Sequence, residues 1–258
     1  MSIIDFLRDT FALADVEMSK LRRDPAELLT RAIQPALWLL IFGQVFGRVK
    51  AIPTGSLDYL TFMVPGILAQ SVLFIAIFYG ISVIWERDLG ILQKLLVSPA
   101  PRTALVLGKA LSAGVRGLAQ GVIIYALALM LRIHLDFSPL HVVGVIGFIV
   151  LGSALFSTFS LAVACLVKTR ERFMGIGQVL TMPLFFASNA IYPISLMPGW
   201  VRAIARVNPL SYQVDALRAL MVHDGQSVFG VGVDAAVLLL IFTGLVLLTA
   251  RLYPNVVT

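Results

Sequence analysis

Three histidines, one cysteine and one glycine–lysine pair are the residues of this 258-residue chain that invite a chemical reading. His134, His141 and His223 could ligate zinc if two stood four apart with a glutamate between them, but no H-E-x-x-H occurs. A serine nucleophile on a sharp turn needs G-x-S-x-G, which is also absent. A serine and a histidine brought together only by folding stay open, so a membrane-embedded enzyme acting on lipid, or a scaffold protein, is the alternative from another class. Gly108-Lys109 is followed by Ala110, whereas the phosphate-cradling loop requires G-x-x-x-x-G-K-[ST]. If work is driven by ATP, another polypeptide must hydrolyse it. Cys165 stands alone in an apolar run, so no internal disulfide forms and a small buried side chain is the simplest role. Ion-driven carriers place acids or bases at mid-membrane. Here the spans offer little: Arg116 lies roughly midway in the third and Asp234 in the first half of the sixth, and no half-repeat symmetry supports a carrier. A structural role, snorkelling or pairing, fits Arg116.

The elements that must position these residues are membrane helices. Of the residues, 59% are hydrophobic and 13% charged, against about 25% charged in a soluble domain. About 20 mostly apolar residues span the hydrocarbon as a helix. Six runs qualify: Ala32–Arg48, Leu57–Trp85, Thr103–Leu131, Leu140–Val167, Arg172–Tyr192 and Ser227–Ala250. The reading is an all-α membrane protein, one transmembrane domain over 1–258. The net charge of +6 sits in flanks rather than in a nucleic-acid patch, so no nucleic-acid partner is expected. Arg8, Lys20, Arg22, Arg23 and Arg31 precede the first run. Arg87, Lys94, Arg102 and Lys109 join the second and third, Lys168, Arg170 and Arg172 the fourth and fifth, and Arg251 closes the last. The opposite side holds Arg48, Lys50, Arg132, Arg202, Arg206 and Arg218. The positive-inside rule then puts both termini in the cytoplasm.

Two further segments are amphipathic. Ile4, Leu7, Phe11, Ala14, Met18 and Leu21 form one stripe, predicting an interfacial helix over 1–24 that ends at Asp24-Pro25. The connection before the last run, 193–225, is too apolar for a solvated loop. Pro198 and Asn208-Pro209 are helix starts. Leu210, Val214, Leu217 and Met221 share a face, with Gln213, Asp215 and Arg218 off it. A pair of short helices re-entering the outer leaflet is expected.

The stretch WERDLGILQKLLVSPAPR, Trp85–Arg102, places charges in the middle of an oily chain. Ile91, Leu92, Leu95 and Leu96 give one apolar face, and Pro99 and Pro101 stop the helix. Such a rod, on the cytoplasmic side and continuous with two spans, suits docking in a groove of a soluble partner.

Residues Trp85–Lys109 resemble the E-R-x-x-G-[TI]-L-[EQ]-x-L-L-x-[ST]-P segment of type-2 ATP-binding-cassette export permeases, and NPLSYQVDALR, Asn208–Arg218, resembles that family's late outer motif. The six spans, amphipathic start and re-entrant pair match along essentially the whole chain. Daunorubicin-type drug-resistance permeases look closest; O-antigen, teichoic acid and nodulation-factor permeases share the plan. The resemblance implies two permeases paired with two copies of a separate nucleotide-binding ATPase, which carries ATP and Mg; no cofactor is expected on this chain. It implies a bacterial cytoplasmic (inner) membrane protein that exports a hydrophobic or amphipathic compound, drug-like or lipid-linked, a lipid-linked oligosaccharide being the alternative. It places a coupling helix within 86–99, with Glu86, Arg87, Leu92, Leu95 and Leu96, and Arg170 of the Lys168–Arg172 loop, near the ATPase. The pathway would run between protomers along the second and fifth spans, past Gln70, Phe74, Phe78, Phe185, Phe186 and Asn189. Gly43-x-x-x-Gly47 in the first span is the candidate dimer contact, and Gly117-x-x-x-Gly121 in the third a second close-approach motif, though such spacings serve packing within one chain equally well.

Overall fold

The computed structural model describes residues 25–50, 52–90, 102–167 and 169–252. The interfacial helix expected over 1–24, the apolar face of Leu92, Leu95 and Leu96, and Lys168 lie outside them. Among the described residues the regular structure is helical, apart from one isolated antiparallel bridge between Leu135 and Val222.

The first span is α1 (Pro25–Leu37), a widened π turn (Trp38–Gly43) and α2 (Gln44–Val49) in direct succession. Pro35 has no amide to donate, and the widened turn follows three residues later. Next, α3 (Tyr59–Tyr79) starts on Asp58, whose carboxylate accepts the Leu60 amide at 3.2 Å. A break at Gly80 leads into α4 (Ile81–Asp88). Beside this break the Ser160 hydroxyl donates to the Ile77 carbonyl. The long α5 (Arg102–Met130) and α6 (Pro139–Leu166) follow. They pack closely because a Cβ at Gly117 would overlap the Ser153 hydroxyl and one at Gly121 would crowd Ile149, so this small-residue spacing serves contact within the chain.

Then come α7 (Arg170–Phe186), a 3-10 turn (Ile194–Leu196), the short α8 (Gly199–Val207) and α9 (Pro209–Met221), and last α10 (Val231–Leu252). The centre of the molecule is α6, which packs along α3, α5 and α10, with α9 wedged among α3, α6 and α10. Met63, Ile67, Leu73, Phe156, Val214 and Leu217 belong to one core shared by these helices.

Among the described residues, five stretches are long and apolar enough to cross a membrane: Ala32–Val49, Tyr59–Asp88, Arg102–Met130, Pro139–Leu166 and Val231–Leu252. The fifth expected span, Arg172–Tyr192, forms a helix of only 17 residues, about 25 Å long. It stops at Phe186 because the Asn208 amide takes the carbonyls of Leu184 (2.7 Å) and Ala187 (3.1 Å), while its oxygen accepts the Leu210 amide at 3.0 Å and so opens α9. One side chain ends one helix and begins another.

The pair α8–α9 occupies the expected outer connection. Leu210, Val214, Leu217 and Met221 are fully buried, as the apolar stripe predicts, but so are Gln213 and Asp215, and Arg218 nearly so. The helix has protein on both faces, and its polar side is an internal network.

Candidate functional site

Three places gather the residues singled out above. The first is a charged joint where α4, α5 and α7 meet. Lys109 Nζ donates to Glu86 Oε2 at 2.7 Å, tying α5 to α4. Arg170 donates to Asp88 Oδ2 through Nε (3.0 Å) and Nη2 (2.8 Å), tying α7 to α4. Its guanidinium lies 3.7 Å over the Trp85 ring, a favourable cation–π geometry. Arg87 donates to Asp88 Oδ1 at 3.1 Å and reaches the Val167 carbonyl at 3.4 Å. Charge-assisted bonds thus join three helix ends at the base of the segment proposed as a coupling rod. Glu86 and Arg87 lie in the last turn of α4. Gly90, at φ +70°, ends this helix with a left-handed residue that a Cβ would strain.

The second place is a buried polar network at the other end. Arg218 is 5% exposed. It donates to the Asn189 carbonyl at 2.7 Å and the Phe62 carbonyl at 3.3 Å, and stacks 3.8 Å over the Phe62 ring. Asp215 Oδ2 accepts from Ser227 Oγ (2.6 Å), Val228 N (2.8 Å) and Phe229 N (2.9 Å), and Oδ1 from Asn189 Nδ2 (3.4 Å). Ser227 also lies 3.2 Å from Asp234 Oδ2. The network fastens α9 to α3, to the chain beyond α7 and to the start of α10. On the surface nearby, Asp136 holds the 131–138 loop: Oδ1 accepts the Ser138 amide at 2.8 Å and Oδ2 meets His141 Nδ1 at 2.7 Å. The Ser138 amide first, and then His141, hold the Asp136 carboxyl below its usual range.

The third place is a groove of about 250 Å³ between α1, α3 and α5, lined by Gln34, Gln70, Phe74, Phe78 and Gln120 among others. Three of the six expected pathway residues, Gln70, Phe74 and Phe78, therefore share one cavity. The others do not join them. Phe185 is fully buried with its ring centroid 5.5 Å from that of Trp38. Phe186 is partly exposed at 6.4 Å from the same ring. Asn189 belongs to the polar network. Gly43 packs inside the chain, where a Cβ would crowd Leu60. Gly47 has open space around it. Arg116 sits 5.3 Å over the Tyr79 ring.

The sequence puts Lys109 and Arg170 among the basic residues of one side, and the resemblance sets Glu86 there too, but which of them pair is visible only in the fold. Sequence reasoning missed Gln120 and the burial of Asp215 and Arg218. An amide in mid-span at the depth of Gln70 was the available signal for Gln120.

Residues 8–222 match the family described as ABC-2 type transporter. The chain is 29% identical over 253 residues to a putative transport permease, ycf38, of Cyanophora paradoxa, covering 93% of this chain and 87% of that one. It is 29% identical over 242 residues to the daunorubicin resistance ABC transporter permease protein DrrB1 of Streptomyces coeruleorubidus, covering 92% and 83%. A probable multidrug ABC transporter permease, YbhR of Escherichia coli K12, is 28% identical over 171 residues, covering 66% of this chain and 46% of that one. With a family match running from ahead of the first span to the end of α9, and apolar helices that fit a multi-pass membrane protein, the chain belongs to the ABC-2 type transporter family.

Proposed function

We propose that this chain is the membrane-spanning subunit of an ATP-driven exporter of hydrophobic or amphipathic compounds, working as a pair with two copies of a separate ATPase that binds ATP and Mg. It resides in the bacterial cytoplasmic membrane with both termini inside. The observation that carries the reading is the charged joint. Trp85, Glu86 and Asp88 engage Lys109 and Arg170 directly at the foot of the segment resembling a coupling helix, in a chain that lacks a phosphate-binding loop. A push on that segment reaches α3, α5 and α7 together, because α4 continues α3 and is bonded to the other two.

Two exposed faces support pairing. Leu37, Leu40, Ile41, Phe42 and Val45 leave the first span open on one side. On α7, Gln178 is exposed beside Val179 and Ile176, and an amide on a membrane helix is better placed against protein than against lipid. The face of α7 that carries Gln178 would meet the second copy, with substrate passing between the protomers.

Leu95→Asp tests this reading. The reconstituted pair with its ATPase should lose substrate stimulation of hydrolysis, while the isolated permease keeps its helical content and melting temperature. Full stimulation in the variant, or a permease that transports with no nucleotide-hydrolysing companion, refutes it.

A further inference from the structure

Gln120 is completely buried on α5, and among the described residues neither its oxygen nor its nitrogen has a hydrogen-bond partner. It lines the groove between α1, α3 and α5 beside Gln70, which is 3% exposed on α3. Both amides fall near the middle of spans, Tyr59–Asp88 and Arg102–Met130. At that depth lipid supplies no hydrogen bonds, so an unpaired amide is costly unless a visitor satisfies it. A dry packing role predicts the opposite: a leucine there would be the better residue.

Resting on the export reading above, we infer that Gln120 and Gln70 form the polar subsite for an uncharged, hydrogen-bonding head group of the exported amphiphile. A primary amide offers one acceptor and two donors, which suits hydroxyl, ether or carbonyl oxygens. Phe74 and Phe78, with ring centroids 6.2 Å apart, flank the apolar part. The described lining carries no charged side chain. The cation four residues before Gln120, Arg116, is held against Tyr79 and would repel a cationic head. The volume of about 250 Å³ falls below the roughly 300–1,000 Å³ of drug-sized sites, so the groove takes the head and leaves the tail between helices.

The test uses the full chain in phosphatidylcholine nanodiscs without its ATPase. Binding of tritiated dodecyl glucoside is read by scintillation proximity, with dodecyltrimethylammonium and dodecyl sulfate, which share the tail, as competitors. The glucoside should bind saturably, with each charged amphiphile competing at least about tenfold less well. Gln120→Leu should weaken glucoside binding by about tenfold, the worth of one or two hydrogen bonds, and leave the thermal midpoint unchanged or higher. Gln70→Leu should weaken binding in the same direction and serves if Gln120→Leu misfolds. No saturable binding, equal competition by the charged amphiphiles, or unchanged affinity in both variants overturns the subsite. Because no ATPase is present, those results are independent of the Leu95→Asp outcome, so failure of either claim is visible alone.

Discussion

The charged joint and the buried network under α9 use similar residues for opposite ends. In the joint, Arg170 and Asp88 keep about a third of their side-chain surface exposed and Glu86 about a fifth. In the network, Asp215 is fully buried and Arg218 nearly so. Partly solvated ion pairs can exchange partners with water at little net change in free energy. Buried charges whose partners are removed strand the remainder in a low dielectric. On the proposed coupling, the joint is the part suited to move and the network the part suited to hold. Force entering near Trp85 would then move α4 and, through it, α3, α5 and α7, while α9 stays fastened to α3, to the chain after α7 and to the start of α10.

The sharpest way to break this contrast is Arg218→Leu. It removes donors from the Asn189 and Phe62 carbonyls and the favourable charge interaction with buried Asp215, and should destabilise by about 3 kcal/mol or more. Thermal unfolding in detergent, read by circular dichroism, measures it; an unchanged midpoint would mean α9 is not held by this network. Next is Asn208→Ala, which deletes the α9 cap and two bonds to the end of α7. A loss of about 1–2 kcal/mol is expected, with faster amide exchange confined to 184–212.

The smallest effect is a pH dependence. The folded-state pKa of Asp136 is depressed, so its stabilising contribution is present above the unfolded value, about 3.9, and is lost as pH falls through the lower folded value. Acidification should speed amide exchange of the 131–138 loop where it meets Met221 and Val222, and Asp136→Asn should flatten that profile. If the variant keeps the wild-type profile, another group holds the loop.

How much of this was written locally differs between the same two regions. Asn208-Pro209 announces α9, and the stripe Leu210–Val214–Leu217–Met221 announces a buried face, because caps and periodicity are local properties. What covers the other face is not local. Asp215 and Arg218 look like solvated polar residues until α3, the turn before α10 and the chain after α7 close around them. In the joint, charge counting puts Lys109 and Arg170 at one membrane surface and the coupling-helix resemblance adds Glu86, but which carboxylate meets which cation depends on the packing of α4 against α5 and α7. The length of α7 was misjudged for the same reason: a side chain 22 residues beyond Phe186 ends it. Gln120 belongs to no motif; beyond the mid-span depth it shares with Gln70, its meaning comes from the groove it lines.

The measurement that bears most directly on the joint as the entry point for force is a charge swap between Asp88 and Arg170, read as substrate-stimulated ATPase activity of the reconstituted complex. Asp88→Arg and Arg170→Asp alone should each cut stimulation by about tenfold or more, since like charges then face each other at contact distance, while melting temperatures stay near wild type. The double variant, with the pair restored in reverse, should recover most of it. Single variants that remain fully stimulated, or a double variant as uncoupled as either single one, would contradict the account.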